Sequence, residues 1–163
     1  MSTYVALLRG IMPMNPNMRN EKLRGVFEGL GFTNVRTVIS SGNVIFESRA
    51  KSIALLENKI EKSLGEQLGI KSPAYIRSKE QLVALVRKNP FKNAEHGRVS
   101  YLIVSFLKKT PGEIFTTLDL TTPASPDFMQ VIEKKYGKDV TTRTWKTVER
   151  ILKKMESIDI SKK

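Results

Sequence analysis

Apolar residues at the start of the chain form a strand pattern followed by a helix pattern. Residues 4–9 are an almost continuous apolar run of strand length, which is typical of a central strand buried on both faces. Between residues 18 and 30 the apolar side chains recur at helical spacing, and Gly31 follows as a helix-ending residue. The pattern therefore predicts a buried strand and then an amphipathic helix.

Two short runs rich in β-branched residues, 35–39 and 44–47, flank a Ser-Ser-Gly-Asn turn. Such runs around a turn that contains glycine predict a β-hairpin. We interpret Ser40 and Ser41 as turn residues that bond to the backbone. A nucleophilic serine is disfavoured, because the chain has no Gly-x-Ser-x-Gly elbow and no second His to activate it.

The remainder of the first half repeats the alternation of helix and strand. Apolar residues at three- and four-residue spacing predict a helix over 53–68 that ends at Gly69, and a short strand follows over 74–77. Residues 78–81, Ser-Lys-Glu-Gln, have the form of a capping box and predict a further helix that Pro90 terminates. The order β-α-β-β-α-β is that of a ferredoxin-like split βαβ unit, with a mostly antiparallel sheet and helices on one face.

The second half has a less regular pattern. It predicts one strand over 100–107, a helix over 111–118 with Pro in its first turn, and helices over 127–136 and 143–155. Only this one strand is expected after residue 95. The second half is therefore predicted to be a shortened α/β region rich in helix.

These elements together predict an α+β protein. A chain of 163 residues with 40% apolar composition can bury one sizeable core. We expect a single compact domain over 1–163, divisible into a ferredoxin-like βαββαβ subdomain, 1–92, and a subdomain of one strand plus helices, 98–157. The last residues, 158–163, are expected to form a disordered tail.

Charge is the strongest bias in the composition. The chain has 28 Lys and Arg against 16 Asp and Glu, a net charge of +12. A field of this sign raises the local concentration of polyanions, so nucleic acid or an anionic small molecule is a candidate partner. The excess is spread along the chain, and a merely basic, soluble surface remains the alternative. The sequence does not indicate an oligomeric state.

Several common chemistries lack their signatures. The chain has no Cys, which excludes disulfides and thiolate chemistry, and His96 is its single His. Phosphate-loop, dinucleotide and His-Glu-x-x-His motifs are absent from the sequence. No catalytic residue, metal or cofactor is therefore predicted, and enzymatic activity stays open. The N-terminus has no long apolar run, so we expect a cytoplasmic protein without a membrane partner.

Glu57 and Glu61 lie one helical turn apart on the helix predicted over 53–68. Such a pair can serve metal binding or proton transfer. Lys59 and Lys62 lie beside them, however, which favours an exposed face of mixed charge.

The start of the last predicted helix is the best candidate for an anion site. Thr141 or Thr142 can cap this helix, which would place Arg143 in its first turn beside free backbone N–H groups. Trp145 can stack on a base or anchor the helix, and its spacing to the apolar stripe favours the anchor. The same helix also carries Lys146, Arg150, Lys153 and Lys154. These residues form either a basic edge that adds to the site or an ordinary solvated helix face.

Four blocks of sequence resemble the bacterial family numbered 1697 among the domains of unknown function. They are residues 4–11, 30–37, 41–46 and 141–148, which include Leu-Arg-Gly-Ile and Ser-Gly-Asn-Val. The resemblance spans nearly the whole chain, and it implies an α+β fold built from ferredoxin-like elements and no established activity. In place of the family's Gly- and Asn-rich loop the chain has Met12 to Asn17, which removes the glycines that let a backbone approach an anion.

Two hypotheses of function follow, with a non-catalytic structural protein as a third. The first is a binding module that meets nucleic acid or another polyanion, and charge favours it. The second is a small-molecule enzyme or sensor with an anion-binding pocket near Arg9, Asn43 and Arg143. An RNA-binding sheet would normally display more aromatic residues than Tyr4 and Phe46. The candidate binding residues of both hypotheses are Arg9, Arg36, Ser41, Asn43, Arg143 and Lys146.

Overall fold

The protein forms two compact units in a computed structural model. The first unit contains residues 1–84 together with the C-terminal segment from Arg150, and the second contains Leu85–Glu149. The structure describes residues 1–39, 42–89, 91, 100–108, 113–119, 133–135 and 139–161.

The sheet of the first unit has four strands in the order β2-β3-β1-β4, and every neighbouring pair is antiparallel. This order confirms the ferredoxin-like split βαβ arrangement and the α+β class. The strands are β1, Ser2–Leu8, β2, Thr33–Thr37, β3, Asn43–Ser48, and β4, Ala74–Ser78. The helices are α1, Asn20–Gly29, α2, Ile53–Leu68, and α3, Lys79–Lys88, and a short 3₁₀ turn covers Pro16–Met18.

The main core lies between one face of this sheet and helices α1 and α2. Strand alternation places Tyr4 opposite Phe46 and Ala6 opposite Ile76, and all four are buried in one apolar cluster. The opposite face is buried as well, since Val5 and its neighbours there are almost inaccessible to solvent. The continuous apolar run of β1 is thus explained by a central strand that is covered on both sides.

Local signals set the helix ends as the sequence predicts. Ser52 Oγ accepts a hydrogen bond from the N–H of Leu55, and α2 ends at Gly69, whose φ is +66°. The capping box before α3 is formed in both directions: Ser78 N–H donates to Gln81 Oε1 and Gln81 N–H donates to Ser78 Oγ.

The second unit contains a three-stranded antiparallel sheet in the order β6-β5-β7. Its strands are β5, Ser100–Leu107, β6, Glu113–Asp119, and β7, Val140–Thr144. The helix predicted over 111–118 is therefore wrong for 113–118, and the expectation of a single strand after residue 95 is wrong. The run Ile-Phe-Thr-Thr has high strand propensity, and pairing with β5 outweighs the helix-start signal of Pro111. Residues 133–135 are helical, and the rest of the helix predicted over 127–136 lies outside the described residues.

The last helix, α4, spans Trp145–Ser161 and begins later than predicted. Its cap is Thr144, whose Oγ1 accepts the N–H of Thr147 at 3.3 Å, whereas Thr141 and Thr142 belong to β7. The helix includes residues 158–161 of the predicted disordered tail, and Ile158 is fully buried, whereas residues 162 and 163 lie outside the described residues. In the described ranges no helix is long and apolar enough to cross a membrane.

Candidate anion-binding groove

Asn43 forms hydrogen bonds with both backbone groups of Val38, the residue after strand β2. Val38 N–H donates to the Asn43 carbonyl at 3.0 Å, and Asn43 Nδ2 donates to the Val38 carbonyl at 2.9 Å. Asn43 is 1% exposed. Both backbone groups of Val38 are thus satisfied by the same residue. Asn43, a predicted ligand contact, is placed by the structure as an internal support of the hairpin.

Gly42 fastens this hairpin to the end of β1. Its carbonyl accepts the N–H of Leu8 at 2.8 Å, and its φ is +83°, a conformation that favours glycine. A Cβ at this position would lie 2.6 Å from Ile11 Cγ1 and 3.0 Å from the Leu8 carbonyl oxygen. The close approach leaves no room for a side chain, so the position requires glycine.

Ile39, just after β2, adopts a conformation that β-branched residues rarely occupy. Its φ is +58°, its carbonyl accepts a bond from Asn20 Nδ2 at 3.4 Å, and its side chain is 43% exposed. Left-handed backbone at such a residue costs on the order of 1 kcal/mol or more, and it persists only where the surrounding structure imposes it. Strained and exposed residues of this kind cluster at binding sites.

Helix α4 presents opposite faces of different chemistry. Its buried side chains recur at helical spacing and include Ile151 and Met155. Positions separated by four, three and four residues share the other face. The residues on that face are Lys146, Arg150, Lys153, Lys154 and Ser157, and all four basic ones are exposed.

An open groove of about 500 Å³ joins this basic face to the end of the hairpin. Three of its lining side chains are cations and none is a carboxylate. All of the lining residues belong to the first unit. They are Thr37, Val38, Ile39, Arg150, Lys153, Lys154 and Ser157.

The sequence indicates basic residues on the helix side of this groove but gives no indication of its hairpin side. The sequence offers a basic edge on the last helix as one of two interpretations, the other being an ordinary solvated face. The hairpin residues of the groove were not candidates, because the pattern assigned Val38 and Ile39 to a strand. No local signal indicates the left-handed backbone of Ile39 or the proximity of two segments more than 100 residues apart in sequence.

The other predicted site residues lie elsewhere or are not described. Arg9 follows β1, where its N–H donates to the Pro73 carbonyl and its carbonyl accepts from Ser72 Oγ. Arg36 lies on β2 and does not line the groove. Lys146 occupies the first turn of α4. Ser41, like Ser40 and His96, falls outside the described residues.

Arg143 lies on β7 and not in the first turn of a helix. Its Nη1 donates to Thr141 Oγ1 at 2.9 Å and to the Thr142 carbonyl at 2.7 Å. Burial disfavours its charge and lowers its pKa to about 10, so the side chain still carries a proton at pH 7. The helix-start site predicted for Arg143 is therefore wrong. Arg143 belongs to the second unit whereas Arg9 and Asn43 belong to the first, and the pocket predicted to join them stays a prediction.

Glu57 and Glu61 bind backbone groups of the edge strand β4. Ile76 N–H donates to Glu57 Oε2 at 3.1 Å, and Ala74 N–H donates to Glu61 Oε1 at 2.9 Å. Glu57 is buried, so the exposed face predicted for this pair is wrong at that position. Glu57 and Glu61 are four residues apart on the helix, and this distance is close to the distance between Ile76 and Ala74, two residues apart on the strand. The two carboxylates therefore accept hydrogen bonds from N–H groups that the edge strand would otherwise leave without a partner. Among the described residues no group of three or more His, Cys, Asp or Glu could hold a metal ion.

Comparison with known proteins identifies the family of this chain. No curated protein matches it. The structure is similar to that of the conserved bacterial protein SP0830 from Streptococcus pneumoniae, with a TM-score of 0.73 and 20% sequence identity over 96% of this chain and 99% of the other. At this identity the likeness shows the fold alone. Residues 1–135 match the family model described as Protein of unknown function (DUF1697), and the chain belongs to that family.

Proposed function

We propose that the protein is a binding protein for nucleic acid and that the basic groove contacts the sugar-phosphate backbone. One observation carries the proposal: Arg150, Lys153 and Lys154 converge on a concavity with no carboxylate in its lining. Cations gathered in a cleft focus the field of a protein whose net charge is +12. Phosphate contacts by Lys and Arg supply most of the affinity of sequence-indifferent nucleic-acid binding.

The pairing of charges on other helices supports this choice of surface. Arg24 forms an ion pair with Glu28 on α1 at 3.2 Å, and Lys62 approaches Glu66 on α2 at 3.9 Å. Within the described part of the chain, the three cations of the groove form no ion pair. Their charge is therefore available to an external anion. The proposal includes a cytoplasmic location, where nucleic acid is accessible.

The test compares two double variants that lower the net charge equally. Lys153→Gln with Lys154→Gln removes two charges from the groove, and Lys51→Gln with Lys71→Gln removes two from exposed positions elsewhere in the first unit. Either change reduces the net charge from +12 to +10. Binding to a fluorescent single-stranded oligonucleotide is followed by anisotropy at salt concentrations from about 50 to 200 mM.

Wild type is expected to bind at low salt and to weaken steeply as salt rises. The groove variant should bind less tightly, and the slope of log affinity against log salt should fall by about 0.7 for each phosphate that the protein no longer neutralises. The control variant should stay close to wild type. Equal losses of affinity in the two variants would assign binding to net charge and not to the groove. Absence of binding by wild type at the lowest salt would refute the proposed function.

A further inference from the structure

One side of the groove, formed by Val38 and Ile39, is apolar, and we call it the hairpin wall. A surface that binds only phosphate does not need such a side. Ile39 lies on the hairpin side with 43% of its surface exposed, and Val38 lines the groove beside it. The cations Arg150 and Lys153 lie on the helix side. A ligand that fits both sides of the groove has an anionic part that meets the cations and, a short distance away, a flat or apolar part that meets Val38 and Ile39. A nucleotide has this character, with a charged phosphate at one end and a base at the other.

The size of the groove limits which form of nucleic acid can enter. A volume of about 500 Å³ falls in the range of pockets that hold one small molecule. A paired double helix presents its phosphates on the outside, and its stacked bases cannot reach the hairpin wall. A single-stranded segment can turn one unpaired base into a pocket and leave its phosphates against nearby cations.

Hydrogen bonds within the protein hold the backbone of the hairpin wall. Asn43 holds both backbone groups of Val38, and Asn20 holds the carbonyl of Ile39. The backbone of Ile39 is left-handed at φ +58°, so its side chain is exposed by an imposed conformation. A preformed wall of this kind does not have to be ordered when the ligand binds, which favours affinity.

We propose that the groove accommodates one unpaired nucleotide of a single-stranded nucleic acid, with its base against Val38 and Ile39 and its phosphates against the cations of α4. This inference rests on the proposed function and adds a preference for single strands over duplexes. The groove lining has no aromatic side chain on which successive bases could stack. The preference is therefore expected to be general for unpaired bases and weak in sequence selectivity.

The experiment measures the affinity of each protein for a single-stranded oligonucleotide and for the duplex of the same sequence, at one fixed salt concentration. Wild type is expected to bind the single strand more tightly. Ile39→Ala should weaken single-strand binding by about five- to tenfold, as expected when most of one apolar side chain is removed from the wall, and leave duplex binding unchanged. Leu55→Ala is the matched control, because Leu55 is an apolar residue on α2 that is 68% exposed and lies outside the groove.

A second variant separates binding from folding. Ile39→Gly also removes the side chain, but glycine accepts a φ of +58° without strain, so thermal stability should be retained while single-strand binding falls as in Ile39→Ala. Equal affinity of wild type for single strand and duplex, together with weaker binding by the groove lysine variant, would overturn this inference and leave the proposed function standing. Unchanged single-strand binding in both Ile39 variants would overturn it as well. Absence of all binding would remove the proposed function with it.

Discussion

Helices α2 and α4 are similar in length and amphipathic pattern, but their charged side chains lie in different environments. On α2, Glu57 and Glu61 bind N–H groups of strand β4. On α4, the basic residues from Arg150 onward line an open groove. Charge on a helix face therefore satisfies backbone donors where a strand edge lies across from it, and stays exposed to solvent where no such edge does. Four experiments test this difference, and they are ordered by the size of the expected effect.

Truncation of Trp145 should have the largest effect, because this side chain belongs to the buried, apolar side of α4. Trp145 is 7% exposed, and its ring meets that of Phe91 edge-on at 5.4 Å between centroids. We expect Trp145→Ala to lower the free energy of unfolding by about 3 to 5 kcal/mol in urea denaturation. A decrease below about 1 kcal/mol would show that the apolar face of α4 does not anchor the helix.

Gly42→Val tests the hairpin wall of the groove. The new side chain would meet Ile11 and the Leu8 carbonyl, and the backbone would keep an unfavourable φ of +83°. We expect a decrease of about 2 to 3 kcal/mol in the free energy of unfolding, measured by thermal or urea unfolding. Gly69→Ala is the control, since φ there is +66° but nothing lies within 4 Å of an added Cβ. This variant should be destabilised by only about 1 kcal/mol, and equal destabilisation of the two would show that the close approach at Gly42 contributes nothing.

Glu57→Ala tests the structural use of charge on α2. The substitution leaves the N–H of Ile76 without its acceptor in a buried position, and we expect a decrease of about 1 to 3 kcal/mol in the free energy of unfolding. Glu57→Gln keeps an oxygen that can accept this bond, so it should recover most of that stability. If the two variants are equally destabilised, the negative charge matters more than the hydrogen bond.

The groove lysines should show the smallest effect on stability. Lys153 and Lys154 are exposed, so the double change to Gln should alter the free energy of unfolding by no more than about 0.5 kcal/mol. Differential scanning calorimetry of this variant beside Glu57→Ala gives the contrast directly. Destabilisation as large as that of Glu57→Ala would mean that the basic face of α4, like the acidic one of α2, supports the fold.

Most of the first unit could be predicted because its signals are local. The period of α2, the glycine that ends it and the capping box at Ser78 each act within a few residues. The predictions are wrong where pairing with a segment distant in sequence determines the secondary structure. Residues 113–118 follow the helix-start signal of Pro111 but have a strand composition, and pairing with β5 selects the strand. The same pairing takes Arg143 into β7 and moves the helix cap to Thr144.

The sequence by itself determined the α+β class, the ferredoxin-like order of the first unit and the presence of several basic residues on the last helix. These follow from hydrophobic period, caps and charge, which are properties of short segments. Only the tertiary structure decided that Glu57 is buried against β4, that Ile39 has a left-handed backbone, and that the hairpin end lies beside the basic face of α4. The physical reason is that the environment of a side chain depends on which distant segments pack against it. A periodic pattern indicates that one face of an element is buried, but not which segment buries it.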